Sequence, residues 1–372
     1  QERVQSILMR AILSQRIAHA YCFWGNEGIG KDAVAIAFAK TVNCFSPVVS
    51  ETSISPCGLC KSCTQMSHLQ HPNLSMVFSL PTGKSGASDD DSPLLRLSDD
   101  QIAVIQEQIA RKAENPYHNI SIPQATQIKI ASVRDVKKTI GLSQSQGGRR
   151  VVIISEADTM TTEAANAFLK TLEEPNANVT LIITTSRKDM VPQTILSRCQ
   201  QIHFAPLSDI QIADALMKRE GIEPQQAALI SSLAQGSYSE ACALLGSDTQ
   251  TMRNDVVELL RAALKNSGYR LDVSHKIEDA NKRYERTDIE KMLSLLLVWL
   301  RDAMTLTSSP DSHIINADQR EILAKFSSVF GKRDYPAALS LVEQTIASLR
   351  QNAQVTLSLT SMLIGLRRVF AT

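Results

Sequence analysis

No apolar run in this sequence approaches the roughly 20 residues that a helix needs to cross a bilayer, so no membrane partner is expected. An excess of one charge is missing as well: 39 Lys and Arg face 38 Asp and Glu, for a formal net charge of +1. A balance this even gives no general drive toward nucleic acid, so any contact with DNA must be local or shared with partners. Aromatics are sparse at 5%, and no basic surface studded with them stands out, which weakens a reading as a stand-alone nucleic-acid binder. The opening QERVQSILMR lacks the apolar core of a signal peptide and reads as the inside of a helix, so a cytoplasmic protein is expected. Disulfides are not expected in that compartment, and seven cysteines then need another explanation.

What is there describes a globular protein. The 372 residues are 43% hydrophobic and 21% charged, too long for one ordinary core, so two or three domains are expected. The stretch that organises the chain is GNEGIGKD, residues 25–32, between a short apolar run at 21–24 and an apolar-periodic segment at 33–39. Gly25, Gly30 and Lys31, with Gly28 inside the turn, satisfy seven positions of the phosphate-cradling P-loop G-x-x-x-x-G-K-[ST]. Glycines let backbone N–H groups converge on phosphate oxygens, and the lysine neutralises the outer phosphates. The eighth position calls for a hydroxyl that ligates magnesium, and here it is Asp32. Two like charges about 4 Å apart repel by about 4 kcal/mol at an effective dielectric of about 20, so a carboxylate beside phosphates opposes binding.

Four cysteines have a shared explanation. CGLCKSC places Cys57, Cys60 and Cys63 in a C-x2-C-x2-C pattern, and Cys44 lies upstream. Four thiolates close a tetrahedral zinc site with no position left for water, so the expected Zn2+ is structural. His68 and His71, beside a complete thiolate set, read as surface or loop residues.

Along the chain, strands are expected at 21–24, 74–80, 151–154, 179–185 and 201–204, with a short one at 128–130. Helices are expected at 4–17, 33–41 and 102–113, then from Ser132 or Asp135 through Leu142, and after Thr161 or Thr162 until Pro175. The polar stretch 81–93 reads as a mobile loop and 115–123 as an irregular connection. Strands alternating with helices, with a P-loop on the first, indicate an α/β nucleotide-binding domain with a parallel sheet. Beyond Pro206 only helices are expected: 208–220, 224–234 and 238–245, then 251–265, 288–306, 319–330, 337–349 and 355–369. The stripe of Leu293, Leu296, Leu297, Trp299 and Leu300 reads as core or as an interface that leaves some of it exposed. Arg149, Arg150, Arg187 and Lys188, near strand ends, read as a solvated face in preference to a DNA contact.

GNEGIGKD, CGLCKSC, LKTLEEP at 169–175 and TILSRC at 194–199, in this order and spacing, resemble the AAA+ clamp-loader subunits of bacterial DNA polymerase III. Within that family the delta-prime type fits better than the gamma or tau motor type. The stretch NPYHNISIPQA, 115–125, has no place on the family pattern. The resemblance implies an AAA+ domain over 1–206 with a zinc insertion at 44–63, a small helical lid over 207–248, and an all-helical collar over 249–372. It also implies a hetero-pentamer with gamma/tau-type and delta-type subunits that opens a sliding clamp and sets it on primed DNA. Each ATP sits at a subunit boundary, with the P-loop from one subunit and the arginine of SRC, here Arg198, from the next.

Carried over residue by residue, the resemblance puts Ser155 at the Walker-B aspartate position, Glu156 at the catalytic glutamate and Thr185 at sensor 1. It puts Ser239 where motor subunits carry a sensor arginine. Three departures at Asp32, Ser155 and Ser239 point to a weak or inactive ATPase, with ATP and magnesium at most residual ligands. One alternative has Asp32 replace the missing aspartate, swapping acid and hydroxyl across the site, against the strict octahedral geometry of magnesium. Another is an active motor subunit. Without the resemblance, Arg198 reads as an arginine in an ion pair at a domain edge.

Overall fold

The protein is represented by a computed structural model that describes residues 1–82, 92–141, 147–174, 177–245, 249–309, 312, 314–351 and 353–371. Most of the loop expected at 81–93, the helix end expected at Leu142 and the stop at Pro175 lie outside these residues. The chain divides into two compact units. One comprises Gln1–Leu207 with Ser237–Ser239, and the other Ser208–Gly236 with Glu240–Thr372.

The first unit opens with α1 (Glu2–Leu13), β1 (Ala20–Trp24) and α2 (Lys31–Val42). A small excursion follows, with the two-residue hairpin β2 (Val48–Val49) and β3 (Ile54–Ser55), then α3 (Lys61–Ser67) and β4 (Leu74–Val77). Next come α4 (Asp99–Glu114), α5 (Ile130–Gly141), β5 (Arg150–Ile154), α6 (Thr162–Glu173), β6 (Val179–Thr185), the one-turn α7 (Gln193–Leu196) and β7 (Gln200–His203). Five strands form one parallel sheet in the order β4-β5-β6-β1-β7.

The pleat sorts side chains to two cores. Ala20 and Cys22 of β1, with Val152 and Ile154 of β5, pack against Phe168 and Leu172 of α6. Tyr21, Phe23, Val151 and Ile153 point the other way, onto Val4, Leu8, Ala35 and Phe38 of α1 and α2. Strands buried on both faces need apolar residues at consecutive positions, which is why β5 and β6 read as unbroken apolar runs. Helix starts are set by side chains. Ser98 and Gln101 form a capping box on α4, and Thr161 accepts from the Ala164 N–H on α6.

Several expectations shift. Residues 128–130 form no strand: Ile128 makes a lone bridge to Met160, and α5 begins at Ile130. α1 stops at Leu13, and β4 stops at Val77. Residues 48–55, VVSETSIS, hold an unforeseen hairpin. Arg149 and Arg150 do not form a solvated face. Arg150 is buried and donates to Thr139 O, while Arg149 reaches Val179 O and Thr180 Oγ1 across the strand ends.

The second unit is helical: α8 (Asp209–Glu220), α9 (Pro224–Leu233) and α10 (Tyr238–Leu245), then α11 (Thr249–Leu264), α12 (Tyr269–Arg283), α13 (Arg286–Ser308), α14 (Arg320–Phe330), α15 (Tyr335–Arg350) and α16 (Val355–Ala371). α10 begins in the first unit, at Tyr238. α12 was not expected, although Val273, Ile277 and Ala280 sit on one buried face. Leu293, Leu296, Leu297, Trp299 and Leu300 are all buried, as the core reading of that stripe expects and the interface reading does not. Exposed apolar residues occur instead at Val329 of α14 and Leu357 of α16.

Five aromatics of the second unit, Trp299, Phe326, Phe330, Tyr335 and Phe370, gather in one cluster. Phe326 lies 4.9 Å from Trp299, 4.6 Å from Phe330 and 5.4 Å from Phe370, ring centre to ring centre. Phe370 also meets Tyr335 at 5.4 Å. Offset and edge-on pairs of this kind add to simple burial. Phe370→Ala is expected to cost about 3–5 kcal/mol. Trp299 fluorescence in a Trp24→Phe background reads the loss in a denaturant titration; a change below about 1 kcal/mol would contradict this packing.

Candidate functional site

β1 ends at Trp24, the chain turns through residues 25–30, and α2 begins at Lys31. The turn lies at the carboxyl ends of the strands, where β1 runs between β6 and β7, the usual position of a ligand crevice in such sheets. Gly28 and Gly30 have φ of +71° and +94°, a region that side chains avoid. Space also demands glycine there. A Cβ at Gly30 would lie 2.9 Å from the Tyr117 ring, and one at Gly28 would collide with Ser237 Oγ.

Lys31 does not project from this loop. Its Nζ donates to the carbonyls of Gly25 at 2.7 Å and Asn26 at 2.6 Å. Burial pulls its ammonium pKa down, against the pull of Asp32, Glu27, Glu156 and Asp158.

Asp32 is the centre of the site. One carboxylate oxygen accepts from Thr184 Oγ1 at 2.7 Å, and the other from Ser155 Oγ at 2.8 Å. The second oxygen also meets the Nζ of Lys112 at 3.0 Å, a lysine whose side chain is only 2% exposed. Lys112 further donates to His118 O at 2.8 Å. Burial alone would raise the Asp32 carboxyl, but Lys112, Thr184 and Ser155 together hold it below the usual carboxylate range. Asp32 and Ser155 thus face each other across the site. The cation beside them is an ammonium of the chain itself.

The stretch 115–119 lies over this loop. Asn115 Oδ1 accepts from the Tyr117 N–H and Asn115 O from the His118 N–H, a tight turn after α4. Tyr117 stands against Gly30, and its ring meets Tyr238 edge-on at 4.7 Å. Asn119 Nδ2 donates to Glu27 Oε1 at 2.9 Å and to Glu156 Oε1 at 3.3 Å. Glu156 has a left-handed backbone, φ +53°, and burial raises its pKa although the Asn119 hydrogen bond opposes this. Ser239 closes the arrangement: its N–H donates to Gly28 O at 3.2 Å and its Oγ to Tyr117 O at 2.7 Å. Thr185 Oγ1 donates to Asp158 Oδ1 at 2.7 Å, and Arg187 grips the other oxygen of Asp158. Lys188 lies over the Trp24 ring at 4.4 Å.

Arg198 follows α7, apart from these groups. Its guanidinium meets Glu173 Oε1 at 2.8 Å and donates to Thr194 O at 3.0 Å.

Cys44, Cys57, Cys60 and Cys63 come together, all four Sγ atoms within 4.8 Å of one another. Cys44 to Cys60 and Cys57 to Cys63 are each 3.9 Å. A tetrahedron of Zn–S bonds of about 2.3 Å has edges of about 3.8 Å, so the donor set fits zinc, and it is far from a disulfide at about 2.05 Å. Backbone N–H groups of Cys63 and Phe45 hold the Cys60 thiol down at about 6, whereas burial pushes Cys63 up to about 12. Zinc held by these four would supply a covalent clip, with no water position and no catalysis. His71 is a loop residue, as expected, but it does not lie at the surface. It is buried, its Nε2 shares a 3.0 Å hydrogen bond with Ser62 Oγ, and its Nδ1 accepts from the Asn73 N–H.

Lys112, Tyr117, Asn119 and Thr184 escaped the sequence reading. The one available signal was that Lys112 falls in an amphipathic segment directly before the irregular NPYHN.

The profile of the family described as "DNA polymerase III, delta subunit" matches residues 1–208. The DNA polymerase III subunit delta′ of Bacillus subtilis is 28% identical over 86% of this chain and 81% of its own length. That of Pseudomonas aeruginosa is 29% identical over 67% of this chain and 62% of its own length. The DNA polymerase III subunit tau of Escherichia coli is 28% identical over 66% of this chain, which spans only 31% of that longer protein. A crystal structure of a DNA polymerase III gamma subunit-related protein from Thermotoga maritima covers 99% of the chain and 98% of its own, at 15% identity and a TM-score of 0.42.

Two tests follow from this geometry. Metal analysis of the purified chain is expected to find one zinc, lost in Cys57→Ser/Cys60→Ser; zinc retained by that variant would refute the thiolate site. Lys112→Met leaves the Asp32 charge buried without its cation and should cost about 3 kcal/mol in denaturant titrations at neutral pH. A depressed carboxyl stabilises the fold above its unfolded pKa of about 3.9, and that contribution is lost as pH falls. The gap between wild type and variant should therefore close below about pH 4, and a pH-independent gap would refute the pairing.

Proposed function

The chain belongs to the DNA polymerase III delta subunit family, as a clamp-loader subunit of the delta-prime type, and we propose that it braces the assembly with an idle P-loop while Arg198 serves the ATP of a neighbour. The observation that carries the idle P-loop is the satisfaction of its charged groups from within. Phosphoryl transfer needs the P-loop lysine on the outer phosphates and a hydroxyl and an aspartate on magnesium. Here Lys31 is spent on Gly25 O and Asn26 O, Ser155 on Asp32, and Asp32 on Ser155, Thr184 and Lys112. Tyr117 and Asn119 cover the glycines and the Glu156 carboxylate. ATP and magnesium are then ligands of the assembly's other subunits.

Arg198 suits the complementary role. It sits in SRC beside a one-turn helix, and its pair with Glu173 is half-exposed, so the guanidinium is reachable by a partner. An arginine reaching across a subunit boundary stabilises charge on the transferring phosphoryl group and is worth roughly 10³ to 10⁵ in rate. The partners in this reading are gamma/tau-type and delta-type subunits in a hetero-pentamer, with the sliding clamp and primed DNA engaged through the complex. The competing reading, a motor subunit that hydrolyses its own ATP, draws on the tau relatives.

Calorimetry and turnover separate the two. Titration of the lone chain with ATP and magnesium is expected to give no saturable heat and no phosphate release. Turnover abolished by Lys31→Ala would establish the motor reading. In a reconstituted clamp loader, Arg198→Ala is expected to cut ATPase by at least about 10-fold while this subunit stays folded. Unchanged ATPase would sink the arginine role.

A further inference from the structure

We propose that Glu173 parks Arg198, holding its guanidinium against this chain until a phosphoryl group on the neighbouring subunit takes it over. This rests on the role proposed above for Arg198 and adds a positioning residue to it. Glu173 is the last residue of α6, and Arg198 follows α7; the two meet at 2.8 Å, with side chains 51% and 38% exposed.

Three features favour parking over a purely structural contact. A carboxylate at a helix C-terminus faces the negative end of the helix dipole, so Glu173 is locally disfavoured there unless a cation answers it. The second anchor of the guanidinium is a backbone carbonyl, Thr194 O at 3.0 Å, so both contacts are to oxygen acceptors of the kind that a phosphate offers. Guanidinium donors match phosphate oxygens in bidentate geometry, and a half-exposed pair is a weak competitor against that match. On transfer, Glu173 returns to water with little desolvation to reverse. A carboxylate carried along with the arginine would instead repel the phosphoryl oxygens, so the pair must part for Arg198 to act.

The parking contact competes with engagement, so it should appear in apparent ATP affinity more than in the chemical step. In a clamp loader reconstituted from this chain and partner subunits of the same organism, Glu173→Gln is expected to lower KM for ATP about two- to fivefold, the range that an exposed ion pair supplies, with kcat within about twofold. The difference from wild type should shrink as salt is raised. Combined with Arg198→Ala, Glu173→Gln should add nothing further. A fall in kcat, or a higher KM, in the Glu173→Gln complex overturns parking. So does an effect of equal size with and without Arg198, which would make Glu173 a structural residue acting elsewhere. If Arg198→Ala alone leaves ATPase unchanged, the arginine role itself falls, and parking falls with it.

Discussion

A charge buried without a partner is among the most costly features a fold can contain, and the buried Lys112 avoids it by pairing with the half-buried Asp32. Much of the first unit's geometry near the sheet edge follows from that pair. Asp32 occupies the first turn of α2, where the helix dipole favours an anion. Lys112 lies near the end of α4, so the pair ties two helices that the sequence separates widely. Holding Lys112 inward also fixes the carbonyl of His118, which sets the path of 115–119 across the glycines. Tyr117 then stands against Gly30, Asn119 bonds Glu27 and Glu156, and Ser239 bonds Gly28 O. The result is a loop of phosphate-binding shape whose lysine and aspartate are answered by the chain itself.

A second constraint organises the excursion between α2 and β4. A segment this short, with a hairpin of two-residue strands, buries little apolar area and cannot stabilise itself. The four thiols offer a cross-link, and a hydrogen-bonded group joins the excursion to the sheet. Ser62 donates to Asn43 O and shares a hydrogen bond with His71, while Asn43 Oδ1 accepts from Asn73 and from the Arg149 N–H at the start of β5. The four thiols and the amide network thus both hold the start of α3, through Cys63 and Ser62.

Much of the fold could be read from residue patterns. β1, β5 and β6 stand out as apolar runs of strand length, α4 and α8 carry capping boxes, and the P-loop marks the first strand–helix turn. α12 could not be read so easily. Its sequence, YRLDVSHKIEDANKR, scatters charge over all but a narrow stripe of Val273, Ile277 and Ala280. Within the site, Gly25, Gly28, Gly30, Lys31 and Asp32 belong to a local motif, and the thiols to a short spacing. Lys112, Tyr117 and Asn119 join the site through residues far away in the sequence, and no local periodicity encodes which far-off carboxylate a lysine will meet. The burial of this loop histidine, His71, is hidden for the same reason, since its partner Ser62 lies across the turn after α3.

The strand order carries one more consequence. β7, which directly follows Arg198, is paired along its length with β1, which directly precedes the glycine turn. Whatever stiffens the turn stiffens the adjoining strand and the base of the arginine. A flexible side chain surrenders conformational entropy when it is captured, and the loss is smaller when its anchor is already still. The glycine turn, its lysine and aspartate held from within, and Arg198 at the foot of β7 thus share one pair of hydrogen-bonded strands as their common base.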